Sequence, residues 1–308
     1  MKNRKYFCDV LIIGSGVTGF ATAMYSARFN LKTIVVGDFD GGKITLTDEV
    51  SNYPGFKKLT GMELANKIKE HALDYDVSVV SARIKEIKKN KKGFVSKSER
   101  EVFESKTIIY ATGTYNRELG LEREKELTGK GVHTCALCDG IFYKNKVVGV
   151  VGGSDSAGKE ALLLAQNSKK VYIIYRGEKI RPEPINEERI KKNKKIEIIN
   201  NINIISLNGE EKLSSVTFDK PYKGKKEFPL DAIFIEIGSI PNTDLVKNTG
   251  VMLNKKGEIK INRHAETNIP GFFAAGDCVD TEFKQAITGV AEGVTASYYA
   301  YQYIQNKK

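Results

Sequence analysis

Two aliphatic runs, each leading into a glycine-rich turn and then a helix-compatible stretch, restrict this chain to a small set of folds. Residues 9–13 have the β-branched and aliphatic character of a buried strand, and residues 14–19 hold Gly14, Gly16 and Gly19. A helical spacing of Ala and Met follows over residues 20–30, and a second strand over 31–36. The same order returns in mid-chain, with a strand at 147–151, a turn at 152–157, a helix at 159–167 and a strand at 171–175. Residues 185–235 alternate short β-like runs, at 196–199, 215–218 and 232–235, with polar turns. A last strand over 272–277 precedes an amphipathic helix at 286–305. The pattern predicts an α/β protein with two Rossmann-like dinucleotide-binding domains, the second inserted into the first. A chain of 308 residues is long enough for both cores.

The first turn reads Gly14-x-Gly16-x-x-Gly19 and lies between a strand and a helix, as a dinucleotide fingerprint requires. Its glycines allow a tight turn, close approach of a pyrophosphate and helix–strand packing, while the helix N-terminus offers free N–H groups. The acid expected for a ribose is displaced: Asp38 follows Gly37 beyond the second strand, so the ribose contact falls to Asp38 or to backbone groups. The second turn is Gly152-Gly153-Ser154-Asp155-Ser156-Ala157, with Ser154 at the place of the fingerprint's second glycine. Arg176 and Arg181 stand just past the closing strand, where a 2′-phosphate would be neutralised; the alternative is two solvated arginines.

Cys135-Ala-Leu-Cys138-Asp139 is the most informative short segment. Two cysteines at this spacing can close a small disulfide and carry redox chemistry. Zinc would need four ligands; His133 supplies a third neighbour, but the chain has no second CxxC, so no metal is expected. Asp139 can protonate a leaving thiolate and deprotonate an attacking thiol, or serve only as a turn acid. The net charge of +11 is spread over scattered lysine clusters rather than one basic stripe with aromatics, which argues against nucleic acid and for solvated turns or an acidic protein partner. No apolar stretch approaches the ~18 residues of a membrane span. The basic start at 1–5 and the short apolar run after it are too brief for a secretory signal, which gives an expectation of a cytoplasmic protein.

Taken together, these segments resemble the low-molecular-weight, bacterial and archaeal type of thioredoxin reductase along almost the whole chain. The matching segments hold Gly14, Ser15, Gly16 and Gly19; Gly42, Lys43 and Asn52; Thr112 and Gly113; Cys135, Cys138 and Asp139; Gly152, Asp155, Ser156 and Ala157; Gly238; Gly276 and Asp277; and Lys284, Gln285 and Ala286. The resemblance implies an FAD domain from residues 1–115 and 245–308, and a pyridine-nucleotide domain at 116–244 carrying the cysteines. Asp277 would meet the ribityl hydroxyls, with Gln285 and Ala286 near the isoalloxazine. Cys138 would face the flavin, Cys135 would attack a thioredoxin-like disulfide, and Asp139 would manage the proton. One domain would rotate against the other through crossings at 113–115 and 238–242, and the protein would be a homodimer. Three departures stand out: Lys43 for glutamine, Ser154 for glycine, and Tyr175 and Gly177 for the first and third residues of His-Arg-Arg. NADPH is the implied donor, with NADH or reduced ferredoxin, an acidic carrier suited to a basic surface, as alternatives. A flavin-binding redox sensor is the reading outside enzymes.

Overall fold

The computed structural model describes residues 4–307; the first three residues of the basic N-terminal segment and residue 308 lie outside them. The chain opens with β1 (Arg4–Ile13), α1 (Val17–Arg28), β2 (Thr33–Gly37), α2 (Gly61–Leu73), β3 (Val77–Ser81), β4 (Glu86–Asn90), β5 (Gly93–Lys97) and β6 (Glu101–Tyr110). After β7 (Thr114–Asn116) come α3 (Glu124–Leu127), β8 (Val132–His133), α4 (Ala136–Asp139), β9 (Val147–Val151), α5 (Asp155–Asn167), β10 (Lys170–Tyr175) and α6 (Pro184–Lys192). Then follow β11 (Ile196–Asn200), β12 (Ile204–Asn208), β13 (Ser215–Tyr222), β14 (Lys225–Pro229) and β15 (Ala232–Ile235). The chain returns through β16 (Ser239–Pro241) to β17 (Phe272–Ala274) and α7 (Ala286–Gln305). Two compact units result, one from residues up to Tyr115 and from Ile240 onward, the other from Asn116–Ser239.

In the first unit β1, β2, β3, β6 and β17 are parallel, and β4 and β5 add an antiparallel edge. β6 is long enough to serve two partners on one side, β5 along residues 102–105 and β17 along 108–110. The continuous apolar run of β1 is explained by burial on both faces. Val10 and Ile12 pack with Phe20 and Ala23 of α1 and Ala296 and Ala300 of α7, while Leu11 and Ile13 pack with Val36, Ile108 and Phe272. α1 and α7 lie close together: Ser297 Oγ donates to Thr22 O at 2.8 Å, a contact that the small residues of α7 permit. The second unit has a parallel sheet ordered β11-β10-β9-β15-β8 and an antiparallel β12-β13-β14 layer. Val148 and Val150 pack on Ala157, Ala161 and Leu164 of α5, and Val151, Ile174 and Ile233 pack on Val216 and Phe218 of β13.

Several boundaries differ from the sequence expectation. Both α1 and α5 begin inside the residues read as turns, because Gly16 and Ser154 are themselves the N-caps. A helix, α6, occupies part of the stretch read as β-like; Pro184 at its start, Glu187 in its first turn and Lys191 and Lys192 in its last suit a short helix. β17 stops at Ala274, and the chain turns at Gly276, which has φ +81°. The second crossing falls at 239/240, ahead of the 244/245 boundary, because Asn242 O accepts hydrogen bonds from Tyr110 Oη at 2.9 Å and Thr112 Oγ1 at 2.8 Å. Among the described residues no helix is long and apolar enough to cross a membrane.

Candidate active site

At the end of β1 the chain reverses through Gly14, whose φ of +124° and lack of a Cβ are both required: a Cβ there would lie 2.2 Å from Ala111 O. The turn is latched to β2 and the segment after it by Gly14 N donating to Val36 O at 2.8 Å and Ser15 Oγ donating to Phe39 O at 3.0 Å. Gly19 brings α1 against the turn so closely that a Cβ would lie 1.9 Å from Gly14 O. Gly16 caps α1 without a side-chain oxygen, and the first turn carries no acid, so its N–H groups suit an anion. Gly42, capping the short 3₁₀ turn of Lys43–Leu46, lies beside Gly16. Asp38 sits one residue past β2, exposed and 3.9 Å from Arg83.

The late part of the chain returns to this turn. Asp277 lies just past Gly276; burial pushes its carboxyl up, opposed by the charges of Lys284 and Lys43. Lys284 Nζ donates to Asp277 O at 3.0 Å and pairs with Glu258 at 3.1 Å, which pins the segment ahead of α7. Gly276 N donates to Glu292 Oε2 at 2.8 Å. Asn52 Nδ2 donates to Gln285 Oε1 at 3.0 Å, joining residues 233 positions apart, and Gln285 caps α7 directly before Ala286. Thr112 and Gly113 follow β6 beside Asn242. A half-buried carboxylate, an uncapped helix start and a side-chain-free turn fit a dinucleotide with a polyhydroxyl chain.

The second turn is built differently. Gly152 has φ +152°, and Ser154 caps α5 with no side-chain hydrogen bond. Asp155 is used within the fold: its carboxylate accepts from Glu183 N and Asn186 Nδ2, both at 2.8 Å, and pairs with Lys159 at 2.9 Å. Ser156 is exposed and Ala157 buried in the core. The Tyr175 ring lies flat enough against the turn that a Cβ on Gly153 would come within 2.5 Å of it. Tyr175 Oη accepts from Arg181 Nη2 at 3.3 Å, whereas Arg176 is exposed. Gly238 has φ +100° and accepts from Arg117 N.

Cys135 and Cys138 are joined as a disulfide, with Cα atoms 5.4 Å apart. Cys135 caps the single turn of α4, and its sulfur accepts from Cys138 N at 3.1 Å, an arrangement that also stabilises a thiolate once the pair is reduced. Cys135 is buried and Cys138 exposed. Cys8 and Cys278 are free and buried. Asp139 Oδ2 lies 3.0 Å from His133 Nδ1, and His133 Nε2 lies 2.8 Å from Tyr143 Oη. Under α4, Ala136 N donates to Glu160 Oε2 at 2.7 Å. Burial, then the charges of Glu236 and Asp139, push the Glu160 carboxyl from 4.5 up to about 8, against the Ala136 N–H, which lowers it.

A carboxyl that binds its proton more tightly folded than unfolded loses its stabilising contribution as pH rises. Stability tied to Glu160 is therefore complete below 4.5 and declines through about 8. Glu160→Gln, which keeps an acceptor for Ala136 N, is expected to shrink the fall in Tm between about pH 5 and pH 8, as read by calorimetry.

Sequence reasoning did not single out Glu160 or Tyr143, and it weighed His133 only as a metal ligand. The available signal was the acid in the apolar-stepped helix that follows the second turn.

Residues 8–293 match the family described as pyridine nucleotide-disulphide oxidoreductase. A thioredoxin reductase of Buchnera aphidicola is 39% identical over 322 residues, covering 99% of each chain. The crystal structure of Lactococcus lactis thioredoxin reductase matches with a TM-score of 0.93 at 35% identity, covering 97% of this chain and 99% of that one. A ferredoxin-flavin thioredoxin reductase from Clostridium acetobutylicum matches at 30% identity with a TM-score of 0.55, covering 98% of this chain and all of that one. With a disulfide set beside an acid and these matches along nearly its whole length, the chain belongs to the pyridine nucleotide-disulphide oxidoreductase family and, within it, to the thioredoxin reductases.

Proposed function

We propose that this chain uses bound FAD to reduce the disulfide of a thioredoxin-like protein, with NADPH as electron donor. The observation that carries the reading is the Cys135–Cys138 disulfide at the head of α4, followed directly by Asp139. The first unit would hold FAD, with its pyrophosphate at Gly14, Ser15, Gly16 and Gly19, its ribose at Asp38 and its ribityl chain at Asp277. Gly42, Lys43, Asn52, Thr112, Gly113, Gly276, Lys284, Gln285 and Ala286 complete the proposed surround. When bound, the flavin supplies two-electron transfer between a nicotinamide and a disulfide.

Once the pair is reduced, Cys135 attacks one sulfur of the partner disulfide, forming a mixed disulfide and releasing the other sulfur as a thiolate. Cys138 then attacks Cys135, the pair closes again, and the partner leaves as a dithiol. Asp139 takes the proton of the attacking thiol and returns it to the leaving thiolate. Because Cys135 is buried in the oxidised pair, exchange through it requires movement, for which the crossings at 113–115 and 238–242 are the proposed hinges. We further read the protein as a cytoplasmic homodimer, on its family alone.

The donor would lie at Gly152, Ser154, Ser156, Ala157 and Gly238, with the 2′-phosphate on Arg176 and Arg181. Arg176→Ala is expected to raise the KM for NADPH about 10- to 100-fold, the effect of one charged hydrogen bond, and to leave the KM for NADH unchanged. Steady-state kinetics with each nucleotide checks it. Reduced ferredoxin is the second reading, favoured by the Tyr175 ring packed against Gly153. Anaerobic titration with NADPH, NADH and reduced ferredoxin in turn, followed by bleaching of the oxidised flavin, separates the donors. A purified chain that is colourless and refuses added FAD would end the whole proposal.

A further inference from the structure

Behind the cysteine pair three side chains stand in line. The Asp139 carboxylate meets His133 Nδ1 at 3.0 Å, and His133 Nε2 meets the Tyr143 hydroxyl at 2.8 Å. His133 ends β8, the edge strand beside β15, and its side chain is 4% exposed. Its ring stacks on Phe234 with centroids 5.3 Å apart and stands edge-on to Tyr143 at 5.3 Å, while Tyr143 meets Phe234 edge-on at 6.0 Å. The imidazole cannot turn without breaking those contacts.

The Asp139 carboxylate facing Nδ1 accepts, so in the neutral ring Nε2 is the acceptor and the Tyr143 hydroxyl, whose phenol burial and then the charges of Asp139 and Asp231 push above its ordinary value, donates to it. Nδ1 then carries the ring hydrogen and donates to Asp139. The other titratable groups of the region are Glu160 on α5, whose carboxyl is raised to about 8, Glu236 just past β15, and Asp231 ahead of β15, which Lys146 meets at 3.4 Å.

We propose that His133 is a positioning residue for Asp139: held by Tyr143, it keeps the carboxylate oriented for proton exchange with the cysteine pair. The inference rests on the function proposed above and deepens it, since the group that handles the proton, Asp139, is itself held in place by a buried imidazole and phenol.

The test compares the full-length flavoprotein with its His133→Ala, His133→Asn, Tyr143→Phe and Asp139→Asn variants and with the His133→Ala/Asp139→Asn double variant. Two rates are followed against pH: thioredoxin reduction, and iodoacetamide alkylation of the dithiothreitol-reduced pair, Cys8 and Cys278 being buried. Loss of the Nδ1–H removes the hydrogen bond that holds the Asp139 carboxylate beside the pair. His133→Ala is therefore expected to move both midpoints up by about one pH unit and to slow thioredoxin reduction about tenfold. His133→Asn, whose amide N–H can take the place of Nδ1–H, restores most of the rate. Tyr143→Phe keeps the ring contacts and shifts the midpoints in the same direction by less, and it is read even where His133→Ala fails to fold. In the Asp139→Asn background His133→Ala adds no shift, because a residue acting through Asp139 has nothing left to act on. Unmoved midpoints in both His133→Ala and Tyr143→Phe, or a further shift in the Asp139→Asn background, would overturn the inference. The alkylation arm needs no protein substrate, so the expected shift there, in a wild type that reduces no thioredoxin, would sink the proposed substrate and leave the His133–Asp139 pairing standing.

Discussion

Cys135→Ser is expected to lower thioredoxin reduction at least about a thousandfold, while the flavin stays bound and reducible by its donor. The local structure should survive the change. Cys135 is the N-cap of α4 and accepts a hydrogen bond from Cys138 N, and serine is a good residue for that position. What is lost is chemical: a hydroxyl can neither form the mixed disulfide nor close the pair. Cys138→Ser is expected to fail at the next step. Cys135 can still attack, but no second sulfur resolves the adduct, so a covalent complex with the thioredoxin-like partner should accumulate. A non-reducing gel and intact-mass measurement would read it. Turnover within tenfold of wild type in either variant would mean that the pair is not the carrier of electrons.

Gly19→Val is expected to destabilise the first unit by more than about 4 kcal/mol, with loss of bound flavin. A Cβ at this position would lie 1.9 Å from Gly14 O and 3.0 Å from Gly14 C. Both atoms are backbone, fixed by the hydrogen bond from Gly14 N to Val36 O, so no side-chain rotation relieves the clash. Gly16→Ala provides the contrast, because its Cβ would meet Gly42 Cα at 3.6 Å, an ordinary contact. The alanine variant should melt near the wild-type temperature and lose FAD affinity only. Differential scanning calorimetry with flavin absorbance separates the two effects. Equal melting behaviour in Gly19→Val and wild type would show that α1 does not pack on the turn this closely.

Much of this was legible before the structure, and for identifiable reasons. The runs at 9–13 and 147–151 are strands buried at every position after the first, so their near-continuous apolar character stands out against any local propensity. The glycines at 14 and 19 and the cysteines at 135 and 138 are readable because each chemistry tolerates few replacements. The extension of β1 back to Arg4 was not readable, since its first residues are polar and owe their strand conformation to pairing with β6. α6 was missed because its residues are mostly charged and Ile190 is its one buried aliphatic side chain, so no apolar stripe marks it; Pro184 at its start and the charges at its two ends are the weaker signals it offers. The Asn52–Gln285 contact and the line from Tyr143 through His133 to Asp139 exist only in three dimensions. His133 in particular reads as a spare metal ligand until Tyr143 and Phe234 are seen to hold its ring.

The closeness of α1 and α7 bears on how the protein is born. During synthesis the ribosome releases β1 and α1 ahead of the second unit, yet their partner helix α7 follows it. The second unit is continuous in sequence, from Asn116–Ser239, and can complete its core while the first still waits with Phe20 and Ala23 uncovered. A nascent chain stalled before residue 286 should therefore hold a finished inner unit flanked by a sticky, unfinished outer one, and that outer half is where chaperone dependence should concentrate.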